Sequence, residues 1–156
     1  MINIANFSDA GPYHRFFVFE DSISFPEAFK QACSRKRDAK VVFPDDWLRY
    51  FHDFTMWIPT TFFINKSIIN AMGLDYEGWS IIATSGKEQA DLVVRALIDL
   101  LRCGPPLLVL RGPFNEKEQD YDKLNVKKQI LIELLENLHS AILDIENHKF
   151  VLHLGI

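Results

Sequence analysis

In the second half of the chain, short apolar runs alternate with longer segments of helical periodicity. The runs at residues 79–83, 107–110 and 150–154 have the length of buried strands. Between them, residues 85–102 and 124–147 carry apolar side chains at intervals of three and four. This alternation is typical of α/β domains. The pattern therefore predicts one α/β domain over the whole chain, with a mixed or mainly parallel sheet of about five strands flanked by helices and a βαβαβ C-terminal half.

The first half is less regular, but the same criteria apply to it. Apolar runs predict strands at residues 14–19 and 39–43, with a helix over residues 25–35 between them. A second helix is predicted from residue 45 to about 58. A third is predicted over residues 59–72, because its apolar side chains cover one broad helical face: Phe62, Phe63, Ile64, Ile68, Ile69 and Met72.

The predicted helix that begins at residue 45 carries an unusual stripe of aromatic side chains. They recur at helical intervals behind two acidic residues, Asp45 and Asp46, and comprise Trp47, Tyr50, Phe51, Phe54 and Trp57. Such a stripe packs into a core more often than not. Trp and Tyr also dominate the binding hot spots of protein interfaces. The sequence leaves both interpretations open, because burial cannot be read from it.

Composition narrows the classes of partner. The chain has 156 residues, of which 48% are hydrophobic and 24% charged, as in ordinary globular proteins. Its net charge of −4 gives no general attraction to nucleic acid or to anionic membranes, so neither is an expected partner. The two cysteines are isolated, and the sequence has no leader-like start and no run of spanning length. We therefore expect a cytoplasmic protein.

A parallel sheet would gather the loops at the carboxyl ends of its strands on one rim, where ligands bind in open α/β folds. The segments concerned are residues 44–46, 84–87, 111–113 and 155–156. A small-residue turn at a helix N-terminus can bind an anion. This predicts a candidate anion site made of Ser85, Gly86, Lys87 and Arg111. The alternative is an ordinary capping box formed by Ser85 and Glu88.

No complete catalytic, metal or nucleotide motif is present. The five histidines lack metal-ligand spacing, and neither a P-loop, a dinucleotide-binding fingerprint nor a nucleophile elbow occurs. We interpret His153, which alternates with Phe150, Leu152 and Leu154, as a hydrogen-bonded histidine of a strand. The sequence therefore predicts no catalytic residues, no metal and no cofactor, and it favours a protein that is not an enzyme.

The leading hypothesis is an inhibitory protein-binding protein, namely an immunity protein (antitoxin) that masks a cognate toxin such as a basic toxin domain. Acidic charge would steer the encounter and aromatic anchors would slow dissociation. The predicted partner-binding residues are Trp47, Tyr50, Phe54, Trp57, Asp45, Asp46, Glu116, Glu118 and Asp120. The alternative is a small enzyme or ligand sensor that binds a phosphate or carboxylate compound at the sheet rim, and a homodimer is a third possibility.

Overall fold

Eight β-strands and four α-helices form over the residues that the structure, a computed structural model, describes. These are residues 12–64 and 67–155, except the side chains of residues 112, 113 and 122. The strands are β1 (Tyr13–Glu20), β2 (Val41–Pro44), β3 (Pro59–Ile64), β4 (Ser67–Met72), β5 (Trp79–Ile82), β6 (Leu107–Asn115), β7 (Asp120–Lys127) and β8 (Lys149–Leu154). The helices are α1 (Phe25–Ser34), α2 (Asp45–Thr55), α3 (Thr84–Arg102) and α4 (Lys128–Leu143), with short 3₁₀ turns at Lys36–Asp38 and Asp144–Asn147.

Six of the strands form one sheet in the order β2-β1-β8-β5-β3-β4, and every described neighbouring pair in it is antiparallel. The prediction of a mainly parallel sheet with a βαβαβ half is therefore wrong. Strand β6 does not join this sheet but pairs with β7 in a separate two-stranded hairpin. The connection from β5 to β8 thus contains two helices, α3 and α4, instead of one helix per crossover.

Those two helices run in opposite directions, which explains why β8 returns antiparallel to β5. Lys128, the first residue of α4, donates hydrogen bonds to the carbonyls of Arg102 and Gly104 at the end of α3. At the other end, Lys87 in the first turn of α3 forms an ion pair with Glu146, beyond α4. A second helix reverses the chain once more, so the following strand enters the sheet from the rim at which β5 ended.

Two further predictions are wrong for local reasons. Residues 59–64 and 67–72 pair as the antiparallel strands β3 and β4 and do not form a helix, and their β-branched residues, such as Thr60 and Ile68, favour strands. Residues 111–113, expected in a loop at the sheet rim, belong instead to a hairpin, since β6 continues to Asn115 and β7 begins at Asp120. Leu124, assigned to the long helix from the sequence, lies on β7.

The six-stranded sheet lies between two apolar layers. Helices α2, α3 and α4 cover one side together with the β6–β7 hairpin, and α1 covers the other. Successive residues of each strand face opposite layers, so Phe16 packs toward α2–α4 whereas Phe17 packs toward α1. The same alternation directs His14 to the α2–α4 side and Arg15 to the α1 side.

Candidate functional site

Helix α2 follows β2 without a loop, and the sequence prediction of a helix beginning at residue 45 is confirmed. Its inner face packs into the larger apolar cluster through Leu48 and Phe51, which are both buried. Asp45 and Thr55 are buried at the two ends of that face. The helix is therefore fixed to the sheet along its length.

The aromatic stripe is divided between core and surface. Phe51 is buried, and Trp47 and Phe54 are partly buried against the core. Tyr50 is 49% exposed and Trp57 is 56% exposed, and their rings meet those of Phe51 and Phe54, respectively, in edge-to-face geometry. Among the aromatic residues predicted to bind a partner, Tyr50 and Trp57 are thus the two most exposed to solvent.

Tyr50 lies on one side of α2 with two carboxylates, and Trp57 continues this surface in the turn that follows the end of the helix at Thr55. Asp46, Tyr50, Asp53 and Trp57 follow one another at helical intervals, and we call this surface the acidic-aromatic face. Within the part of the chain that the structure describes, neither Asp46 nor Asp53 forms an ion pair. The face therefore offers two unpaired negative charges that alternate with two half-exposed rings.

Beneath the N-terminus of α2, a chain of hydrogen bonds crosses the protein interior. Ser80 Oγ lies 3.2 Å from His153 Nδ1, and His153 Nε2 lies 2.9 Å from His14 Nδ1. His14 Nε2 lies 3.2 Å from Asp45 Oδ1. We call these four residues the buried polar chain, and they join three adjacent strands, β5, β8 and β1, to the first residue of α2.

The donors in this chain follow from the carboxylate at its end. Because Asp45 can only accept, His14 Nε2 carries a proton and donates it, which leaves His14 Nδ1 to accept from His153 Nε2. His153 Nδ1 then accepts from the Ser80 hydroxyl, which in turn accepts from the backbone N–H of Asp75 at 3.3 Å. Every polar atom in the chain has a partner when both histidines are neutral.

Burial favours the neutral form of both histidines. Desolvation lowers the pKa of His14, although the hydrogen bond and charge of Asp45 act in the opposite direction. The pKa of His153 lies well below its usual value, because the ring is fully buried and because His14 and His52 are close. With neither ring exposed, the chain is a positioning element for α2 and not an accessible catalytic group.

Asp45 accepts hydrogen bonds from three side chains. Besides His14, the hydroxyl of Tyr76 donates to its Oδ1, and Arg49 Nη2 donates to its Oδ2 at 3.2 Å. The Arg49 guanidinium also lies over the Tyr76 ring, 5.7 Å from its centre. With both oxygens engaged and only 8% of the residue exposed, we assign Asp45 to the positioning of α2 and leave Asp46 as the outward-facing acid.

Sequence reasoning did not find the buried polar chain, because His14 and His153 are 139 residues apart. One signal was available. Both residues stand in apolar strands at positions whose neighbours two residues away are core side chains, Phe16 and Val151. A polar residue at a core position requires a hydrogen-bonding partner.

The three predicted acidic residues of the second half lie on a different element from α2. Glu116 and Glu118 are exposed in the turn between β6 and β7, and Asp120 is the exposed first residue of β7. The opposite end of the same hairpin is basic on its outer side, with Lys123 and Lys127. Binding of a partner by this tip stays a prediction.

The predicted anion-binding residues are not brought to one rim, since the parallel sheet that would gather them is absent. Gly86 is buried, and a Cβ there would lie 2.1 Å from the carbonyl oxygen of Pro59. Lys87 is paired with Glu146, and Ser85 is exposed. Arg111 lies on β6, where its guanidinium stacks 4.6 Å from the centre of the Tyr121 ring. Residue 156 is outside the described residues, and anion binding by these side chains stays a prediction.

Comparisons of the chain with protein-family models, with curated proteins and with solved structures give no significant match. Within the described residues, no helix has the length and apolar character needed to cross a membrane. No group of three or more His, Cys, Asp or Glu side chains in the same residues is arranged to hold a metal ion. The features that bear on function are therefore the surfaces of the chain itself.

Proposed function

We propose that this protein binds a basic surface of a partner protein through the acidic-aromatic face of α2. The observation that carries this proposal is the alternation of Asp46 and Asp53, which form no ion pair within the described residues, with the half-exposed rings of Tyr50 and Trp57. Asp53 is exposed and Asp46 is partly exposed, and carboxylates that alternate with aromatic rings on one surface are complementary to lysine and arginine side chains.

The chemistry of such an interface is specific. A guanidinium can pair with a carboxylate while its flat side stacks on a neighbouring ring, and aromatic anchors of this kind dominate the energetics of protein interfaces. The net charge of −4 adds a long-range attraction that accelerates association with a basic partner. The contacts at the interface and the net charge both favour a cationic partner over an acidic or neutral one.

The acidic-aromatic face is also held rigid before binding. The inner side of α2 is anchored by Phe51 in the core and by Asp45 in the buried polar chain. A surface that is ordered in the free protein loses less conformational entropy on association. Tight masking of a partner, as an immunity protein requires against its toxin, benefits from such preorganisation. The specific form of the proposal is therefore an immunity protein for a basic toxin domain.

The test is affinity purification of the tagged protein from the cells that produce it, followed by quantitative mass spectrometry. The wild type is compared with the double variant Tyr50→Ala/Trp57→Ala and with the charge variant Asp46→Lys/Asp53→Lys. A matched control is Leu92→Ala/Leu100→Ala, because these α3 side chains are 49% and 61% exposed and lie outside the acidic-aromatic face. A captured partner is then purified, and its activity is titrated with each variant.

We expect a basic partner at near-equal stoichiometry with the wild type and with the leucine control. Both variants of the acidic-aromatic face should lose it, and each should inhibit the partner's activity at least ~10-fold more weakly, since a hot-spot residue contributes about 2 kcal/mol or more. A partner that the aromatic and charge variants still retain would refute this interface. Capture of an acidic partner, or failure of the purified pair to interact, would refute the proposed function itself.

A further inference from the structure

On the opposite side of the sheet, beside α1, the surface opens into a cleft of about 460 Å³. Its wall includes Tyr13 and Arg15 from β1, Phe29 from α1 and Trp79 from β5, with Lys36 and Glu77 near its mouth. We call it the Arg15 cleft. The sheet separates it from α2, so it is independent of the acidic-aromatic face.

Arg15 occupies an unusual position for a charged residue. Its strand, β1, lies inside the sheet, with Val42 opposite on one neighbouring strand and Leu154 on the other. The residue is only 9% exposed. Within the described part of the chain it forms no ion pair, and its one hydrogen bond runs from Nη1 to the Tyr13 carbonyl oxygen at 3.3 Å. Its guanidinium lies 5.4 Å from the centre of the Tyr13 ring.

A bound anion would stabilise a guanidinium that is buried without a counter-charge. Charged groups are seldom buried without a counter-charge, because removal from water is costly. Arginine offers a planar fork of five N–H donors, and the described residues occupy one of its nitrogens. No buried side-chain nitrogen or oxygen of the described residues lacks a partner, so the remaining Arg15 nitrogens reach solvent in the cleft that the residue lines.

The cleft also has an apolar wall. Leu154 on β8 lies opposite Arg15 on one side and opposite Trp79 of β5 on the other. The Phe29 ring stacks on the Trp79 ring at a centroid distance of 5.0 Å. Lys36 contributes a second cation that forms no ion pair within the described residues, whereas Glu77 contributes one carboxylate at the mouth. Positive charge and a flat aromatic surface in the same cleft are the two components of a site for an organic anion.

We propose that the Arg15 cleft binds a small organic anion. Its carboxylate or phosphate group lies against the Arg15 guanidinium, and its apolar body lies against Phe29 and Trp79. The guanidinium fork matches either oxyanion in a bidentate geometry. The volume is within the range of about 300–1,000 Å³ that small-molecule sites occupy, so the ligand has the size of a substituted aromatic acid.

The test uses benzoate and phenyl phosphate as probes and benzyl alcohol as the neutral control. Each is titrated into ¹⁵N-labelled protein while the amide and indole N–H resonances are followed. We expect saturable shifts for the Trp79 indole and for the amides of Gly78 and Gly155, which line the cleft. Gly104, at the end of α3, should not shift. The stronger of the two anions identifies the carboxylate or the phosphate as the preferred group, and benzyl alcohol should bind at least ~10-fold more weakly than that anion.

The contribution of Arg15 to anion binding is tested by comparing the affinities of variants. Arg15→Gln should weaken the preferred anion at least ~10-fold, and Arg15→Lys should weaken it by a smaller factor, because charge is kept while the fork is lost. Lys36→Gln, at an exposed position, should weaken it a few-fold at low salt. The control Arg95→Gln removes an exposed arginine that is paired with Asp91 on α3 and should leave the affinity unchanged.

The proposal would be overturned by the absence of a saturable shift with either anion, by shifts that map outside the cleft, or by an affinity that Arg15→Gln and Lys36→Gln both leave unchanged. Benzyl alcohol that binds as tightly as the anions would also overturn it, because the cleft would then be a purely apolar pocket. If Arg15→Gln does not fold, Lys36→Glu replaces it and should weaken the preferred anion more than Lys36→Gln does at low salt, because the charge is reversed and not only removed; an unchanged affinity would overturn the proposal.

Discussion

His14 Nδ1 lies 2.9 Å from His153 Nε2, and the two rings are nearly parallel, with an interplanar angle of 7°. Through this contact the buried polar chain ties the neighbouring strands β1 and β8 together and links them to the N-terminus of α2. Neither histidine is exposed. The protonation state of this pair therefore bears on stability and on the position of the helix that carries the proposed interface.

We predict that the protein loses stability as the pH falls below about 6.5. The pKa of both histidines is lowered in the folded state, so the unfolded chain binds more protons at mildly acidic pH. The free energy of unfolding should then fall by about 1.4 kcal/mol per pH unit for each histidine that stays neutral when folded. Above pH 7.5 these residues should contribute no slope. Urea unfolding between pH 5 and 8 measures this.

The control for the pH experiment is His148→Gln, because the His148 side chain is 90% exposed and its 3.4 Å contact with Asp21 is screened by solvent. This variant should keep the slope of the wild type. His153→Gln should reduce the slope while lowering stability at pH 8, since it breaks the chain between Ser80 and His14. A wild-type stability that does not change from pH 8 to pH 5 would contradict the neutral, buried state of the pair.

Adjacent acidic residues should behave differently in α2. Asp45→Ala removes the acceptor of His14, Tyr76 and Arg49, and we expect it to lower the free energy of unfolding by about 3 kcal/mol or more. Asp46→Ala should change it by less than about 0.5 kcal/mol. Chemical denaturation of the two variants measures the difference. Equal losses would show that Asp46 is also structural and would weaken the proposed interface.

Substitutions of the aromatic residues in and just after α2 should also differ in their effect on stability. Phe51→Ala should cost about 3–5 kcal/mol of stability, because the ring is buried in the larger apolar cluster. Tyr50→Ala and Trp57→Ala should each cost less than half as much, since about half of each residue is already exposed. Thermal and urea unfolding compare the three. Collapse of the fold in either surface variant would assign those rings to the core.

Gly86 should resist substitution for a packing reason. A Cβ at this position would lie 2.1 Å from the Pro59 carbonyl oxygen, so Gly86→Ala must displace the start of α3 from β3 and should cost about 2 kcal/mol or more. Gly104→Ala is the control, because its Cβ would lie 3.1 Å from Leu108 Cδ2 and 3.3 Å from the Leu101 carbonyl oxygen, both much longer than the contact at Gly86. A Gly86→Ala variant as stable as the control would contradict this close contact.

Strand existence could be predicted from the sequence, but strand direction could not. The apolar runs at residues 14–19, 79–83 and 150–154 correspond to β1, β5 and β8, because a buried strand needs consecutive or alternating apolar residues whatever its direction. Whether neighbours run parallel depends on what connects them. The run at residues 107–110 had the composition of a buried central strand, yet Val109 is 60% exposed on the outer side of a hairpin.

The β3–β4 hairpin was misread for a different reason. Its apolar residues come in adjacent pairs, such as Phe62 with Phe63 and Ile68 with Ile69, which also fit a broad helical face. A half-buried strand would show alternation, but β4 is an edge strand that is exposed on both sides over most of its length. Where both sides of a strand face solvent, burial imposes no period of two on the sequence.

Part of the candidate site was visible in the sequence. The start of α2 and its aromatic stripe follow from helical periodicity, and Tyr50 and Trp57 were among the predicted binding residues. The division between Asp45 and Asp46 was not visible, because it depends on His14 and Tyr76, which reach the carboxylate from other elements. Arg15 was passed over since its burial depends on its place inside the sheet.

The position of β8 between β1 and β5 sets the order in which the chain can fold during its synthesis. The β1–β2 pair and the β3–β5 strands have no contact within the sheet until residues 149–154 have left the ribosome. At a translation rate of about 5–20 residues per second, β1 waits on the order of ten seconds for its central partner. Throughout that interval the edges of β1 and β5 that later pair with β8 have no partner strand, and open strand edges of this kind favour pairing with other chains.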